Sequence, residues 1–435
     1  ALAGIQRLVE EAQASRSRAQ ALADRAAALL FYVATGSALV TFVVWMLLGD
    51  TNTAVESTVT VLVIACPHAL GLAIPLVIAL STAVSAKAGI LIKDRLALER
   101  MRSIDTVLFD KTGTLTKGAH AVRGVIGTDR FDADAVLTLA AAVEADSEHP
   151  LARAIVTAAE GQDAVRASNF RPITGRGVSA DIDDITYSVG GPALLRQLQL
   201  GIPRSLRDDV GEWEQRGASV LYLATASEII GAIALEDEIR PEARQAIAEL
   251  RDMGVDVAMI TGDARHVAEA VGRDLGISNV FAEVLPADKD QAVAALQQRG
   301  TTVAMVGDGV NDAPALARAD VGLAIGAGTD VAIESAGVVL GSSDPRSVAS
   351  VIRLSRASYR KMIQNLAWAA GYNIVSIPLA AGALAWAGIT LSPAIGAVLM
   401  SLSTIVVALN AQLLRHVQLT PEAADNTPVP AAALL

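Results

Sequence analysis

An aspartate that ends an apolar run and opens into a glycine- and threonine-rich turn is placed for nucleophilic chemistry. Asp110 stands in that position: Thr106-Val107-Leu108-Phe109 precedes it and Lys111-Thr112-Gly113-Thr114-Leu115-Thr116 follows. A strand of this kind delivers its carboxylate to the carboxyl edge of an α/β sheet, where ligands bind. A carboxylate is a competent covalent nucleophile toward phosphorus. Phosphoryl transfer asks for in-line positioning and charge neutralisation, and the chain carries groups for both. Asp308 with Asp110 offers oxygen ligands to Mg2+, and Thr112 adds a backbone carbonyl. Lys289, in Pro286-Ala287-Asp288-Lys289, offers positive charge to phosphoryl oxygens, while Thr261, Gly262 and Asn311 offer neutral donors. Without the metal, two carboxylates beside one phosphate would repel it.

These residues close apolar runs. Val255–Ile260 leads into Thr261-Gly262-Asp263, and Thr302–Val306 into Gly307-Asp308-Gly309-Val310-Asn311-Asp312; Val321–Ile325 ends at Gly326. Pro241–Met253 and Asp288–Arg299 between them have the spacing of amphipathic helices. Such alternation predicts a parallel sheet with helices on its faces and all polar turns at one edge. From Lys117 to Gly231 the pattern changes. A helical stretch, Ala133–Glu160, is broken by Pro150, and short strand-like runs follow, as expected of a separate domain inserted after the first strand.

The chain has 435 residues, 52% of them hydrophobic, and a net charge of −11. It is too apolar for an ordinary soluble enzyme and too charged for a membrane bundle alone. Nothing is basic enough for a nucleic-acid partner, and the single cysteine excludes an intrachain disulfide. Four stretches approach the ~20 apolar residues that cross a lipid bilayer: 26–48, 57–84, 366–386 and 392–414. The short connections at 50–56 and 387–391 lack Lys and Arg, whereas Lys87, Lys93, Arg95, Arg100, Arg353, Arg356, Arg360, Lys361 and Arg415 flank the other ends. The charge asymmetry places the large loop in the cytosol. The expected layout is a cytosolic helix at 1–25, a phosphorylation domain from 88–117 and 232–350, the insert at 118–231, a linker helix at 351–365, and a Pro/Ala-rich tail at 415–435, disordered from Thr420 to Leu435.

The second span carries Cys66-Pro67-His68. A proline there frees a backbone carbonyl and breaks the helix, which is tolerated where a cavity is lined. Thiolate selects soft metals, and imidazole suits Cu, Zn and Ni. Gly371-Tyr372-Asn373 and Met400-Ser401-Leu402-Ser403-Thr404 add thioether and oxygen donors in the third and fourth spans.

The ordered set DKTGTLT, TGD and GDGVND resembles the P-type ATPases, multidomain membrane proteins with an α/β haloacid-dehalogenase-like phosphorylation domain. The resemblance implies that ATP phosphorylates Asp110, that Asp308 with Asp110 and Thr112 binds Mg2+, and that Asp312 supports the loop. Asp237 and Arg240 match the return from the insert. Ser147-Glu148-His149-Pro150 with Thr174-Gly175-Arg176-Gly177-Val178 resembles the α+β nucleotide-binding domain of the heavy-metal (PIB) class, which implies that Glu144, His149, Gly175 and Gly177 hold ATP. The Cys-Pro-His motif with GYN and MSLST is similar to the CPH subgroup, associated with copper and silver export; Cys66, His68, Tyr372, Asn373, Met400 and Ser401 are then the candidate contacts of the transported ion. Imidazole in place of the second thiolate of the better-known CPC motif hardens the site and leaves Cu(I), Cu(II) and Ag(I) open. Zinc and cadmium are disfavoured, because the spans hold no carboxylate to balance a dication. The family's Thr-Gly-Glu motif, on its actuator domain, does not occur here. The resemblance therefore implies an N-terminal truncation, with the actuator and its preceding spans outside this sequence and full turnover needing that missing region. The expectation is an ATP-driven exporter in the plasma membrane. The alternatives are a membrane-anchored haloacid-dehalogenase-type phosphatase and a metal- and ATP-binding fragment without turnover.

Overall fold

The computed structural model describes residues 18–66, 68–162, 165–326 and 330–419. Most of the expected N-terminal helix, Pro67 of the Cys-Pro-His motif, and the tail from Thr420 lie outside them. In chain order the strands are β1 (Ile90–Ile92), β2 (Thr106–Asp110), β3 (Thr116–Gly127), β4 (Ser168–Ile173), β5 (Gly177–Ile182), β6 (Ile185–Gly190), β7 (Ser219–Ala224), β8 (Ile229–Ile239), β9 (Asp256–Ile260), β10 (Asn279–Phe281), β11 (Val303–Gly307), β12 (Val321–Ile325) and β13 (Val338–Leu340). The chain divides into two compact units, one of residues 1–104, 320–342 and 346–435, the other of 105–319 and 343–345.

The first unit holds the long apolar helices. Among the described residues, three stretches are long and apolar enough to cross a membrane: Arg25–Leu47, Thr51–Lys87 and Pro393–His416. The middle one is two helices, Thr51–Ile64 and His68–Lys87, that meet at the Cys66 break. The fourth expected span, 366–386, is not among them. It falls in the distal half of one 35-residue helix, Arg346–Ala380, which also absorbs the expected linker. That helix stops at Ala380 because the chain turns at Gly382 (φ +92°) under the Trp45 ring, whose Nε1 donates to the Ala381 carbonyl at 3.0 Å. Ile74, Val77 and Ile78 pack with Met362, Ala411 and Leu414, so three helices share one apolar seam. A polar chain crosses the same helices: Lys361 Nζ donates to Asn410 Oδ1 (2.8 Å), Asn410 Nδ2 to Asn365 Oδ1 (2.8 Å), and Asn365 Nδ2 to the Ala73 carbonyl (3.4 Å). In this unit β1 runs antiparallel to β13, and β13 parallel to β12.

The second unit is built on a parallel set ordered β11-β2-β9-β10. All five residues of β2 are buried, as a central parallel strand covered on both faces requires. Between β2 and β9 the chain makes an antiparallel sheet, ordered β3-β8-β7-β6-β5-β4. Strand alternation serves both of its faces. Leu223, Ile233 and Leu235 meet Val136, Ala140, Val143 and Ile155 from the helices Ala133–Glu144 and Pro150–Ala158. On the other face Tyr222, Ala224, Ala232 and Ala234 meet Leu195, Leu206, Val210 and Trp213 from Pro192–Leu198 and Arg204–Arg216. Pro150 starts its helix where a missing N–H costs nothing, and His149 caps it, Nδ1 accepting from the Leu151 N–H at 3.2 Å.

Glu144 ends the first of these helices with its side chain buried. Burial raises its carboxyl to about 6, against a weaker lowering by Ser147. The folded pKa lies above the unfolded one, so this stability is fully present below pH 4.5 and is lost as pH rises through 6. Glu144→Gln should therefore strengthen amide-exchange protection of Val136–Val143 at pH 8, by up to about 2 kcal/mol, and leave it unchanged at pH 4. Equal protection at both pH values would show that Glu144 carries no burial cost.

Candidate phosphoryl-transfer site

The parallel set brings the expected residues to one edge. Asp110 ends β2 in register with Ile260, so Thr261 follows beside it on one side; Phe109 pairs with Val306 of β11, and Asp308 lies just beyond that strand on the other. After Asp110 the backbone leaves regular geometry: Thr112 is extended (φ −75°, ψ 130°) and Gly113 turns left-handed (φ +74°). A Cβ on Gly113 would lie 1.9 Å from Asp308 Oδ2, so only glycine lets that carboxylate lie over the loop. Carboxylate oxygens of Asp110, Asp308 and Asp312 lie within 4.8 Å of one another. Lys289 Nζ stands 2.6 Å from Asp110 Oδ1 and 2.6 Å from Asp312 Oδ1, all three residues being buried. Asp312 also accepts from the Gly309 N–H at 3.2 Å, which closes its loop.

Two further groups hold the nucleophile loop. Arg240 donates to the carbonyls of Gly113 and Thr114, at 3.1 Å each. Lys111 is buried, with Nζ 2.9 Å from Asp263 Oδ2 and 3.6 Å from Asp237 Oδ2. Sequence reasoning gave Lys111 and Asp263 no role, although a lysine directly after the strand-end aspartate was the available signal. The Thr261 hydroxyl is buried and accepts from the Asp263 N–H at 3.2 Å, whereas Gly262 and Asn311 are exposed at the same edge.

Burial, and next the neighbouring Asp312, push Asp110 up to about 7 despite Lys289. Burial alone would pull Lys289 down, but attraction to Asp110 and Asp312 outweighs it and the net direction is up. Asp308 is raised as well, by burial first and Asp312 second. Three carboxylates against one ammonium leave the cluster negative. Oxygen ligands on opposite sides of Mg2+ stand about 4 Å apart, so an all-oxygen set within 4.8 Å fits that ion. This edge can hold a hard divalent cation beside a carboxylate nucleophile.

The four positions expected to meet ATP all lie in the insert. Glu144 is buried, and His149 is exposed at its helix cap. Gly175 (φ +70°) forms the turn between β4 and β5, and Gly177 opens β5 opposite Gly190, where a Cβ would lie 2.0 Å from the Val189 carbonyl.

Among the apolar helices, Cys66 is half-buried at the break and His68 is exposed at the start of the next helix. Tyr372 Oη and Asn373 Oδ1 are buried without a hydrogen-bond partner among the described residues, and Met400 is half-buried. Ser401 departs from expectation. It is exposed, its hydroxyl donating to its own helix at Ala397 O (2.9 Å), while Ser403 is buried with no partner for Oγ among the described residues. The buried positions Gly396, Ser403, Val407 and Ala411 recur at helical spacing, a phase that the motif alone did not convey.

Comparison with known proteins agrees with this architecture. A haloacid dehalogenase-like hydrolase family matches residues 104–320. The chain is 52% identical over 411 residues to a copper-exporting P-type ATPase B of Archaeoglobus fulgidus, covering 94% of this chain and 59% of that protein. It is 44% identical over 418 residues to a copper-exporting P-type ATPase B of Enterococcus hirae, covering 95% and 56%. The crystal structure of a zinc-transporting PIB-type ATPase in the E2.Pi state superposes with a TM-score of 0.79 at 33% identity, covering 94% of this chain and 66% of that one. The chain thus spans less than two thirds of the length of each. With the nucleophile edge, the insert and the broken apolar helix all in place, the chain is similar over nearly its whole length to P-type ATPases of the PIB class.

Proposed function

We propose that this chain is the phosphorylated and cargo-binding part of an ATP-driven exporter of copper or silver ions. The observation that carries this reading is the convergence of Asp110, Asp308, Asp312 and Lys289 at one sheet edge. ATP binds the insert through Glu144, His149, Gly175 and Gly177. An Asp110 carboxylate oxygen forms a bond to the γ-phosphorus as the bond to the bridging oxygen breaks, and ADP leaves. Lys289 orients the attacking carboxylate and lies in reach of the phosphoryl oxygens. Thr261, Gly262 and Asn311 offer those oxygens neutral donors, and Asp312 and Arg240 keep the loops in place. Asp110, Asp308 and the Thr112 carbonyl would hold Mg2+, which would supply charge neutralisation.

The transported ion meets Cys66 and His68, with oxygens from Tyr372, Asn373 and Ser403 and the Met400 thioether. The curated relatives are named for copper and the solved neighbour for zinc. Copper or silver is favoured because 57–84, 366–386 and 392–414 contain no Asp or Glu to balance a dication, and because thiolate and thioether suit soft ions. Four spans, with the basic flanks and the ATP-binding loop cytosolic in a plasma membrane, complete the reading.

In the full-length protein, γ-labelled ATP should leave an acid-stable, hydroxylamine-labile label on the chain in the presence of copper, and Asp110→Asn should remove it; label persisting in that variant would end the proposal. Cys66→Ala should abolish copper stimulation while ATP binding stays intact. Ser403→Ala should weaken copper stimulation about tenfold and Ser401→Ala should leave it unchanged; the opposite ranking would restore Ser401 as the ligand.

A further inference from the structure

The insert is joined to the nucleophile edge by β3 and β8, a two-stranded stem. The exposed helix Arg204–Arg216 gives it a second point of support. The Trp213 indole packs against Gly124 of β3, where a Cβ would come within 2.6 Å of it, so the helix is tied to the stem. The helix ends at Gly217 in the left-handed conformation (φ +89°), and a Cβ there would lie 2.4 Å from Val267 Cγ1. The Val267 side chain therefore rests directly on the Gly217 backbone.

Val267 belongs to the helix Arg265–Leu275, which begins one residue after Thr261-Gly262-Asp263. That helix is itself anchored, since Arg244 donates to the Asp274 carbonyl at 2.7 Å and Arg251 to that of Gly276. Between stem and brace lies a cleft of about 260 Å3, lined by Lys111, Arg123, Arg216, Glu236, Asp237 and Asp274. Its walls are charged, and the direct link between helix and stem across it is a long ion pair, Arg216 Nε to Glu236 Oε1 at 3.8 Å. A pair of strands without further support bends and twists readily. A stop beyond the cleft thus fixes the tilt that the stem alone leaves open.

We propose that Gly217 and Val267 are positioning residues for phosphoryl transfer: their contact is the stop that sets the tilt of the insert and so the approach of the ATP γ-phosphate to Asp110. This rests on the phosphoryl-transfer reading above. A phosphodonor small enough to reach Asp110 without the insert is indifferent to that tilt, and acetyl phosphate is such a donor.

The experiment compares full-length wild-type protein with Val267→Phe, which wedges the contact, and Val267→Ala, which loosens it. Initial rates of Asp110 labelling are read from ATP and from acetyl phosphate, together with the Kd for ATP. Val267→Phe should slow labelling from ATP about tenfold or more, as misplacement of a reacting group by an ångström does, with the Kd for ATP and the acetyl phosphate rate within a factor of about two of wild type. Val267→Ala should slow the ATP reaction less and spare the other two. Equal losses from both donors would overturn the proposal by showing that Val267 only supports the Thr261–Asp263 loop. Unchanged ATP rates in both variants would overturn it too. Absence of label on the wild-type protein from either donor would defeat the phosphoryl-transfer reading itself, and this inference with it.

Discussion

A lysine buried between two aspartates is the constraint on which the rest of the nucleophile edge depends. Lys289 holds Asp110 and Asp312 at one distance from a single nitrogen, in a place where water does not screen them. Burying any of the three alone would cost several kcal/mol, so strand ends and loops must keep them together. β2 delivers Asp110, the loop after β11 delivers Asp312, and Lys289 opens the helix Lys289–Gln298. The Gly309 N–H on Asp312 and the Arg240 guanidinium on the Gly113 and Thr114 carbonyls act on the backbone on either side of this group. The excess of carboxylates gives the same edge the charge and the oxygen ligands to receive a hard cation.

On the proposed reading the chain handles two metals of opposite character, and chemistry keeps them apart. The Asp110 edge offers only oxygen, much of it carrying charge. The Cys66 region offers sulfur, imidazole and neutral oxygens, with no carboxylate in the spans. Mg2+ gains little from thiolate, and a soft monovalent ion gains little from carboxylates. Ligand type does the sorting before geometry contributes anything.

What the sequence made legible were features written in consecutive residues. Thr106–Phe109 running into Asp110, or Cys66 and His68 around a proline, have local signatures, and the strands and break are found there. Features set by side-chain packing were less accessible. Ser401 and Ser403 differ only in the phase of their helix, and which one faces inward is decided by Gly396, Val407 and Ala411 meeting neighbouring helices. The end of the long helix at Ala380 depends on Trp45, more than three hundred residues earlier in the chain. The ion pairs of Lys111 with Asp263 and Asp237 join three segments that no spacing rule connects.

The stem of the insert has a consequence for how such a chain can be assembled. Thr116 and Ile239, where the insert leaves and returns, are partners in the same antiparallel ladder, so their Cα atoms stand about 5 Å apart. To the parallel fold around Asp110, everything between them amounts to a tight turn. The entropy of closing a loop depends on where its ends lie and only logarithmically on its length, and here the ends are already in contact. A whole inserted domain is therefore carried as if it were a hairpin loop. Its size, sheet order and helices are free to change without disturbing the strand that presents the nucleophile.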